Sequence, residues 1–185
     1  PKDLLRSGLQ PILMTLADRH RLTSAGLDGL AHLLQLLTNY FKVEIGIKLL
    51  DHLSALAEPA MLRRAAAGPL DTHEKLRILT AIVRVFHLLP DTAYQFLPRL
   101  LVYVAEIESH LRRSGPTPLT DMLTLFLDHF SEHTVRYYFE SDGHVRFTDV
   151  LQNPRLFRLL RLALQSPRGA SLRRELSRRA ETLLL

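Results

Sequence analysis

The sequence contains no cysteine and has few of the β-branched aliphatic residues that fill β-strands. Without cysteine the chain forms no disulfides, thiol nucleophiles, cysteine-ligated zinc sites or iron–sulfur clusters. Leucine is abundant by contrast, with 41 Leu against 6 Ile and 8 Val in 185 residues. Leucine favours helices, whereas Ile and Val favour strands. Since 46% of the residues are hydrophobic, we expect an ordered helical protein with a real core rather than a disordered chain.

Long apolar runs are also absent. The longest, Leu100 to Ala105, has six residues, far fewer than the roughly 18 that a membrane span needs, so no membrane partner is expected. The patterns G-x-G, G-x-x-x-x-G-K-[ST] and G-x-S-x-G do not occur, and no phosphate-binding loop or nucleophile elbow is therefore predicted. Because the sequence begins with Pro1 rather than Met, we expect residues 1–185 to be one segment of a longer protein.

Apolar residues at helical spacing divide the chain into about nine predicted helices. The leucines of residues 27–37 recur every three or four positions, which is typical of one apolar helix face. Thr117 before Pro118, and Asn153 before Pro154, each combine an N-cap residue with a proline at the first helical position. Further helix starts are predicted at Thr23 or Ser24, Asp71 or Thr72, Asp91 or Thr92, and Ser171. Pro98 is expected to bend the helix that begins near Asp91.

Stacking of helices in pairs is the architecture that these patterns favour. The predicted helices have broad apolar faces and follow one another in close pairs, as in helical hairpins stacked into a solenoid. The predicted fold class is all-α, a HEAT-like helical-repeat solenoid of about nine helices in antiparallel pairs, or about four repeats. Weak internal boundaries are predicted near 58–71, 112–118 and 141–153, the first as a longer loop with at most one helical turn. Because no strict period is visible, a compact helical bundle remains an alternative on this pattern alone.

One catalytic motif stands out. His129, Glu132 and His133 form an H-x-x-E-H pattern, the inverted form of a zinc-protease motif. Such a site needs both histidines on one face of a continuous helix, a third ligand and the glutamate as general base. Ser131 is a candidate helix cap between the histidines, which places the motif at a helix junction, and no acidic cluster follows it. A zinc-dependent hydrolase is therefore only an alternative, and no cofactor is expected.

Positive charge is concentrated in the last 40 residues. Residues 146–185 contain nine Arg and three acidic residues, net +6, whereas residues 1–145 have a net charge of −1. The candidate partner-binding residues are Arg155, Arg158, Arg161, Arg173, Arg174 and Arg178. Arginine binds carboxylates and phosphates with two parallel hydrogen bonds, so an acidic protein segment is the expected partner, and a contact within the parent protein is the alternative. A basic nucleic-acid-binding module is a further alternative, which the absence of any recognised nucleic-acid motif disfavours.

A resemblance to a known family enters at the second and third predicted helices. The stretch from Leu27 to Gly46, followed by Lys48 to His52, closely resembles a segment of the TRRAP family, the giant transcription-coactivator pseudokinases of the PIKK superfamily. The resemblance continues more loosely through Phe86–Pro90, Ser114–Leu119 and Val135–Phe139, and it is weak after residue 140.

The resemblance implies a stretch of HEAT-repeat solenoid in a nuclear scaffold that has no kinase activity of its own. It further implies membership of the SAGA-type and MYST-type histone acetyltransferase complexes. The implied partners are other subunits of these complexes, acidic activation domains of transcription activators, and neighbouring repeats of the same chain. The family's repeats carry no catalytic residues, so the resemblance predicts a non-enzymatic segment without a catalytic site.

Overall fold

A computed structural model describes residues 18–36, 44–139 and 152–184, together with Met14 and Leu16. Within these ranges it contains nine α-helices and no β-strand, in agreement with the leucine-rich composition. The helices are α1 (Ser24–Leu36), α2 (Glu44–Leu56), α3 (Pro59–Ala66), α4 (Glu74–Val85), α5 (Leu97–Leu111), α6 (Pro118–His129), α7 (Ser131–Phe139), α8 (Pro154–Gln165) and α9 (Ala170–Leu184). Short 3-10 turns lie at Arg19–Arg21, Leu70–Thr72, Phe86–Leu88 and Asp91–Phe96.

The helices pack in two layers. In the first layer α1 contacts α4, α4 contacts α6, and α6 contacts α9; in the second, α5 contacts α2, α3 and α8. Contacts of α2 with α4 and of α6 with α8 join the layers. Helices that contact each other at several residues are thus near neighbours in the stack. In the described part of the chain, α1 and α9 have no such contact. This is the arrangement of a helical-repeat solenoid rather than of a closed bundle.

The core between the layers consists mainly of leucine and has an aromatic centre. Phe86 meets the rings of Phe96 and Phe126 edge-on, with centroid separations of 5.8 and 6.1 Å, and all three side chains are buried. Gly46 on α2 lies against the Phe96 ring, where an added Cβ would come within 2.3 Å of a ring carbon. The aromatic centre therefore joins α2 to the segment between α4 and α5 and to α6.

Two of the predicted helix starts are confirmed in atomic detail. The Thr117 hydroxyl accepts a hydrogen bond from the Thr120 backbone N–H, and the Thr120 hydroxyl accepts one from the Thr117 N–H, which is a reciprocal capping box at α6. The Asn153 side chain accepts hydrogen bonds from two backbone N–H groups of the first turn of α8. Both helices begin at the proline that follows the cap, as the sequence pattern predicts.

The prediction of a loop over residues 58–71 is wrong for its first half. These residues include the eight-residue helix α3, which buries Met61, Leu62 and Ala65 in the core. The predicted cap of α4 at Asp71 or Thr72 is also wrong. Residues 70–72 form a 3-10 turn instead, and His73 is the N-cap residue.

Two starts in the second half of the chain also differ from the prediction. Residues 91–96 form a 3-10 segment, and α5 begins only at Leu97. Pro98 therefore lies in the first turn, where a missing N–H costs no helical hydrogen bond, rather than at a bend. Helix α9 begins before Ser171, and Asp128 of α6 accepts the hydrogen bond of the Leu172 N–H at 2.8 Å.

Some predictions fall on parts of the chain outside the described residues. Apolar spacing predicts a first helix over residues 3–17 and an end of the second helix at Phe41. The first helix lies almost entirely outside the described residues, and so do Phe41 and most of the boundary at 141–153. The boundary near 112–118 coincides with the turn between α5 and α6.

Candidate partner-binding surface

The six candidate arginines lie on α8 and α9, and these two helices contact each other. Arg155, Arg158 and Arg161 belong to α8, and Arg173, Arg174 and Arg178 belong to α9. All are exposed except Arg158, whose side chain is 24% exposed. A single basic surface requires adjacent helices, as found here. The arginines differ, however, in the hydrogen bonds and ion pairs that they make within the chain.

Arg158 makes its contacts inside the chain. Its guanidinium donates to the Glu108 carboxylate at 3.3 Å and to the backbone carbonyls of Arg113 and Gly115. The Glu108 side chain is only 2% exposed and accepts a second hydrogen bond from the Thr117 hydroxyl. Burial raises the pKa of Glu108, whereas the hydrogen bonds from Thr117 and Arg158 oppose this shift. Arg158 is therefore part of the packing between α5, α6 and α8.

The α9 arginines also have partners within the chain. Arg173 donates to two backbone carbonyls at the C-terminal end of α8, at 2.9 and 2.6 Å. Arg178 makes two hydrogen bonds to Glu175, at 3.0 and 2.7 Å, which lower the pKa of that carboxyl. Arg174 donates to the Ser171 hydroxyl at 3.2 Å. These contacts leave the α9 side chains exposed, so they still present positive charge to solvent.

Three exposed residues of α8, namely Arg155, Phe157 and Arg161, form what we call the α8 patch. The arginine side chains make no hydrogen bond or ion pair with the described part of the chain. Phe157 is 48% exposed, and Arg161 follows it by four residues, which places the two on one helix face. Phe157 is absent from the residues predicted from the sequence. Helix geometry could have indicated this residue. Residues 156, 159, 160 and 163 form the apolar face of α8, and position 157 lies outside that face.

The H-x-x-E-H motif spans a helix junction, as predicted. His129 ends α6, and His133 lies in α7 after a break at Phe130. His133 stacks on the Tyr94 ring at 3.9 Å between centroids, and Glu132 pairs with Arg136 at 3.2 Å. The motif side chains are thus engaged in separate contacts. Among the described residues, no group of three or more His, Asp or Glu side chains has a metal-binding arrangement.

No α-helix in the described ranges has both the length and the apolar character that crossing a bilayer requires. The longest, α5 and α9, have 15 residues each, and six of the residues of α9 are charged. The described surface of α8 and α9 carries exposed charged side chains and one large exposed aromatic side chain, that of Phe157.

A pH dependence of folding follows from His87 in the 3-10 turn after α4. Burial lowers the pKa of His87, the charges of His129, Arg84 and Arg168 lower it further, and a hydrogen bond with the Arg84 carbonyl opposes the shift. Below about pH 6.5 the unfolded chain binds a proton that the folded chain resists. We therefore expect the free energy of unfolding to fall between pH 7.5 and 5.5, and to fall less in His87→Gln.

Urea denaturation at the two pH values checks this expectation. The control is His32→Gln on the exposed face of α1, which removes a histidine and leaves His87 in place. An equal pH dependence in the wild type and in His87→Gln would contradict the assignment.

The sequence is similar to a protein family and to several known proteins. The family described as the Tra1 HEAT repeat ring region matches residues 1–185. The chain is 44% identical over 158 residues to the SAGA complex/NuA4 acetyltransferase complex subunit Tra1 of Schizosaccharomyces pombe, which covers 83% of the chain and 4% of that protein. It is 42% identical over 138 residues to the TRA1 subunit of Saccharomyces cerevisiae. This match covers 75% of the chain and 4% of that protein. To the transformation/transcription domain-associated protein of Danio rerio it is 25% identical over 142 residues, 74% of the chain and 4% of that protein.

The matched part of the chain thus spans about 4% of the length of these relatives. The family match agrees with the two stacked layers of helices, and the predicted HEAT-like solenoid is confirmed. The resemblance to the TRRAP family, which was strongest over residues 27–52, is confirmed as well. From its sequence and its fold, the chain belongs to the Tra1 family and corresponds to the HEAT repeat ring region.

Proposed function

We propose that the chain is a non-catalytic scaffold segment of a large Tra1-like subunit in nuclear histone acetyltransferase coactivator complexes. The single observation that carries the proposal is the match of the whole chain to the Tra1 ring region. Two relatives are named as subunits shared by the SAGA and NuA4 acetyltransferase complexes. A helical-repeat stack suits this role because it offers extended surfaces on which several partners bind side by side.

Affinity purification tests the scaffold role. The protein that contains this segment should be tagged in its own cells, purified under mild conditions and examined by mass spectrometry. Acetyltransferase subunits should be recovered with it in stoichiometric amounts. Recovery of the protein alone, or with hydrolase activity that depends on His129 and His133, would contradict the proposal.

Within this role we propose that the α8 patch, together with Arg174 of the adjacent helix α9, binds an acidic segment of a transcription activator or of another subunit. Arg155 and Arg161 supply positive charge that the described part of the chain leaves unpaired, and Phe157, one helical turn before Arg161, supplies an exposed apolar contact. An aromatic ring beside arginines suits a partner that alternates acidic and apolar residues. Each exposed charge contact contributes only about 0.2–1 kcal/mol, so binding should be weak and sensitive to salt.

Charge reversal tests this binding surface. The full chain should be titrated with a fluorescent peptide rich in Asp and Leu, at low and at physiological salt. In Arg155→Glu/Arg161→Glu we expect roughly 5- to 30-fold weaker binding at low salt, and a smaller difference at higher salt. The matched control is Arg63→Glu/Arg64→Glu, which changes the net charge equally on the exposed face of α3.

Three outcomes would count against the surface. Equal losses in the two double variants would reduce the effect to net charge, and an unchanged affinity in Arg155→Glu/Arg161→Glu would remove the α8 patch from the mechanism. Tighter binding of duplex DNA than of the peptide would favour the nucleic-acid alternative.

A further inference from the structure

Arg158 lies in the middle of α8, yet its donors all go to α5 and to the turn that follows α5. We infer that Arg158 is a positioning residue that locks α8, and with it the α8 patch, onto the preceding repeat. The inference rests on the binding role proposed for that patch. Arg158 itself acts through the position of α8 and does not contact the partner.

This set of contacts, which we call the lock, joins Arg158 to three acceptors, one in α5 and two in the turn that follows α5. The carboxylate of Glu108 comes from the last turn of α5, and the carbonyls of Arg113 and Gly115 come from the turn after it. That turn leaves α5 through Arg112, which has a left-handed backbone with φ of 51°. A guanidinium carries five N–H donors in a fixed plane and so reaches all three acceptors at once, which an ammonium group on a flexible stem does not.

The same cluster holds the start of α6. The Thr117 hydroxyl donates to Glu108, and Thr117 is also the N-cap residue of α6. Glu108 is therefore shared between the cap of α6 and the guanidinium of α8. Because the carboxylate is buried, a loss of its cationic partner is costly, and α5, α6 and α8 depend on one another through this one group.

An arginine on a later element also binds the end of an earlier helix elsewhere in the second layer. Arg113 donates to the carbonyls of Ala66 and Gly68 at the end of α3, at 3.0 and 2.8 Å. Arg173 does the same at the end of α8. The hydrophobic effect is not directional, whereas hydrogen bonds to fixed carbonyls favour one register of the helices. Among these three arginines of the described residues, Arg158 is the one that also pairs with a buried carboxylate, that of Glu108.

The lock acts on the α8 patch through the helix itself. Arg155 and Arg161 lie three residues before and three residues after Arg158, and Phe157 is its direct neighbour. A shift or a rotation of α8 would therefore move all three patch residues relative to α9. The lock holds the patch in one position, so that the partner meets one preformed surface and less binding free energy is spent on ordering it.

Hydrogen–deuterium exchange on the full chain tests the lock. In Arg158→Ala and in Arg158→Lys we expect the amides of α8 and of residues 113–120 to exchange about tenfold faster or more, because hydrogen bonds to a charged group are lost. Arg161→Ala is the control on the same helix and should leave exchange unchanged. Arg158→Ala/Glu108→Gln should recover part of the protection, since it no longer buries an unpaired charge.

Peptide affinity distinguishes the positioning role of Arg158 from two other roles, a contribution to stability alone and a direct charge contact with the peptide. Arg158→Lys retains the positive charge, and we expect it to weaken peptide binding by a factor that persists at higher salt. The effect of Arg161→Glu should shrink under the same change, because exposed charges are screened and buried pairs are screened much less. Wild-type exchange in Arg158→Lys would overturn the lock, and so would wild-type affinity in a variant with fast exchange. If the wild-type chain binds no acidic peptide, the binding role of the patch fails, and faster exchange in Arg158→Lys then supports the lock alone.

Discussion

Replacement of Phe86 by alanine is expected to lower the free energy of unfolding by about 3–5 kcal/mol, more than any other single substitution proposed for this chain. The Phe86 side chain is fully buried and packs edge-on against Phe96 and Phe126. Its removal deletes both aromatic contacts and leaves a cavity where α4, α5 and α6 meet. Urea denaturation followed by circular dichroism measures the loss.

Phe157→Ala is the matched control for this prediction. It deletes the same side chain from a helix, but Phe157 is 48% exposed, so its loss should change stability by only about 0.5 kcal/mol or less. The same variant should weaken binding of the acidic peptide if the α8 patch has its proposed role. Equal losses of stability in Phe86→Ala and Phe157→Ala would contradict the central place of Phe86 in the core.

Replacement of Gly46 by alanine should destabilise the chain by about 1–3 kcal/mol, although alanine is the better helix former. An added Cβ would lie 2.3 Å from a carbon of the Phe96 ring. That ring is buried against Phe86 and has little room to move. Either α2 must move away from the segment before α5, or the aromatic centre must rearrange.

Gly29→Ala separates this steric effect from helix propensity. Gly29 also lies inside a helix, but an added Cβ there meets nothing within 4 Å. This substitution should therefore stabilise the chain by roughly 0.5–1 kcal/mol. Thermal unfolding of both variants measures the difference in sign, and a stabilising effect of Gly46→Ala would contradict the close approach.

The sequence predicted those features of the fold that depend on neighbours in the chain. The spacing of leucines and the cap-plus-proline pairs at 117–118 and 153–154 act within one or two helical turns, and the corresponding helices begin where expected. Helix α3 was missed because Pro59, Gly68 and Pro69 give a local loop signal. What stabilises α3 is burial against α5 and the long-range hydrogen bonds from Arg113.

The candidate site was predictable only in part, for the same reason. The two arginine-rich helices follow from composition and apolar spacing, whereas their contact with each other is seen only in the structure. The pairing of Arg158 with Glu108, 50 residues away, does not follow from local pattern. Nor does the stacking of His133 on Tyr94. Local pattern gives the identity of a charged side chain, whereas the tertiary structure decides whether its charge faces a partner or the core.

The family came from resemblance and not from any of these patterns. Leucine content, charge and helix spacing indicate an all-α solenoid, but many unrelated scaffolds share them. The stretch from Leu27 to His52 carries the family resemblance without containing any chemically reactive motif. A family of this kind is therefore recognised by its sequence as a whole rather than by a reactive motif.

Site-specific photo-crosslinking tests most directly whether the α8 patch binds an acidic partner. A photoreactive phenylalanine should replace Phe157 in the protein as it occurs in its own cells, and a second variant should carry it at the exposed position Val102 of α5. We expect crosslinks from position 157 to a protein with an acidic segment, either an activator or an acetyltransferase-complex subunit, and weaker ones from position 102. Crosslinks from position 157 only to nucleic acid, or equal patterns from the two positions, would contradict the proposed surface.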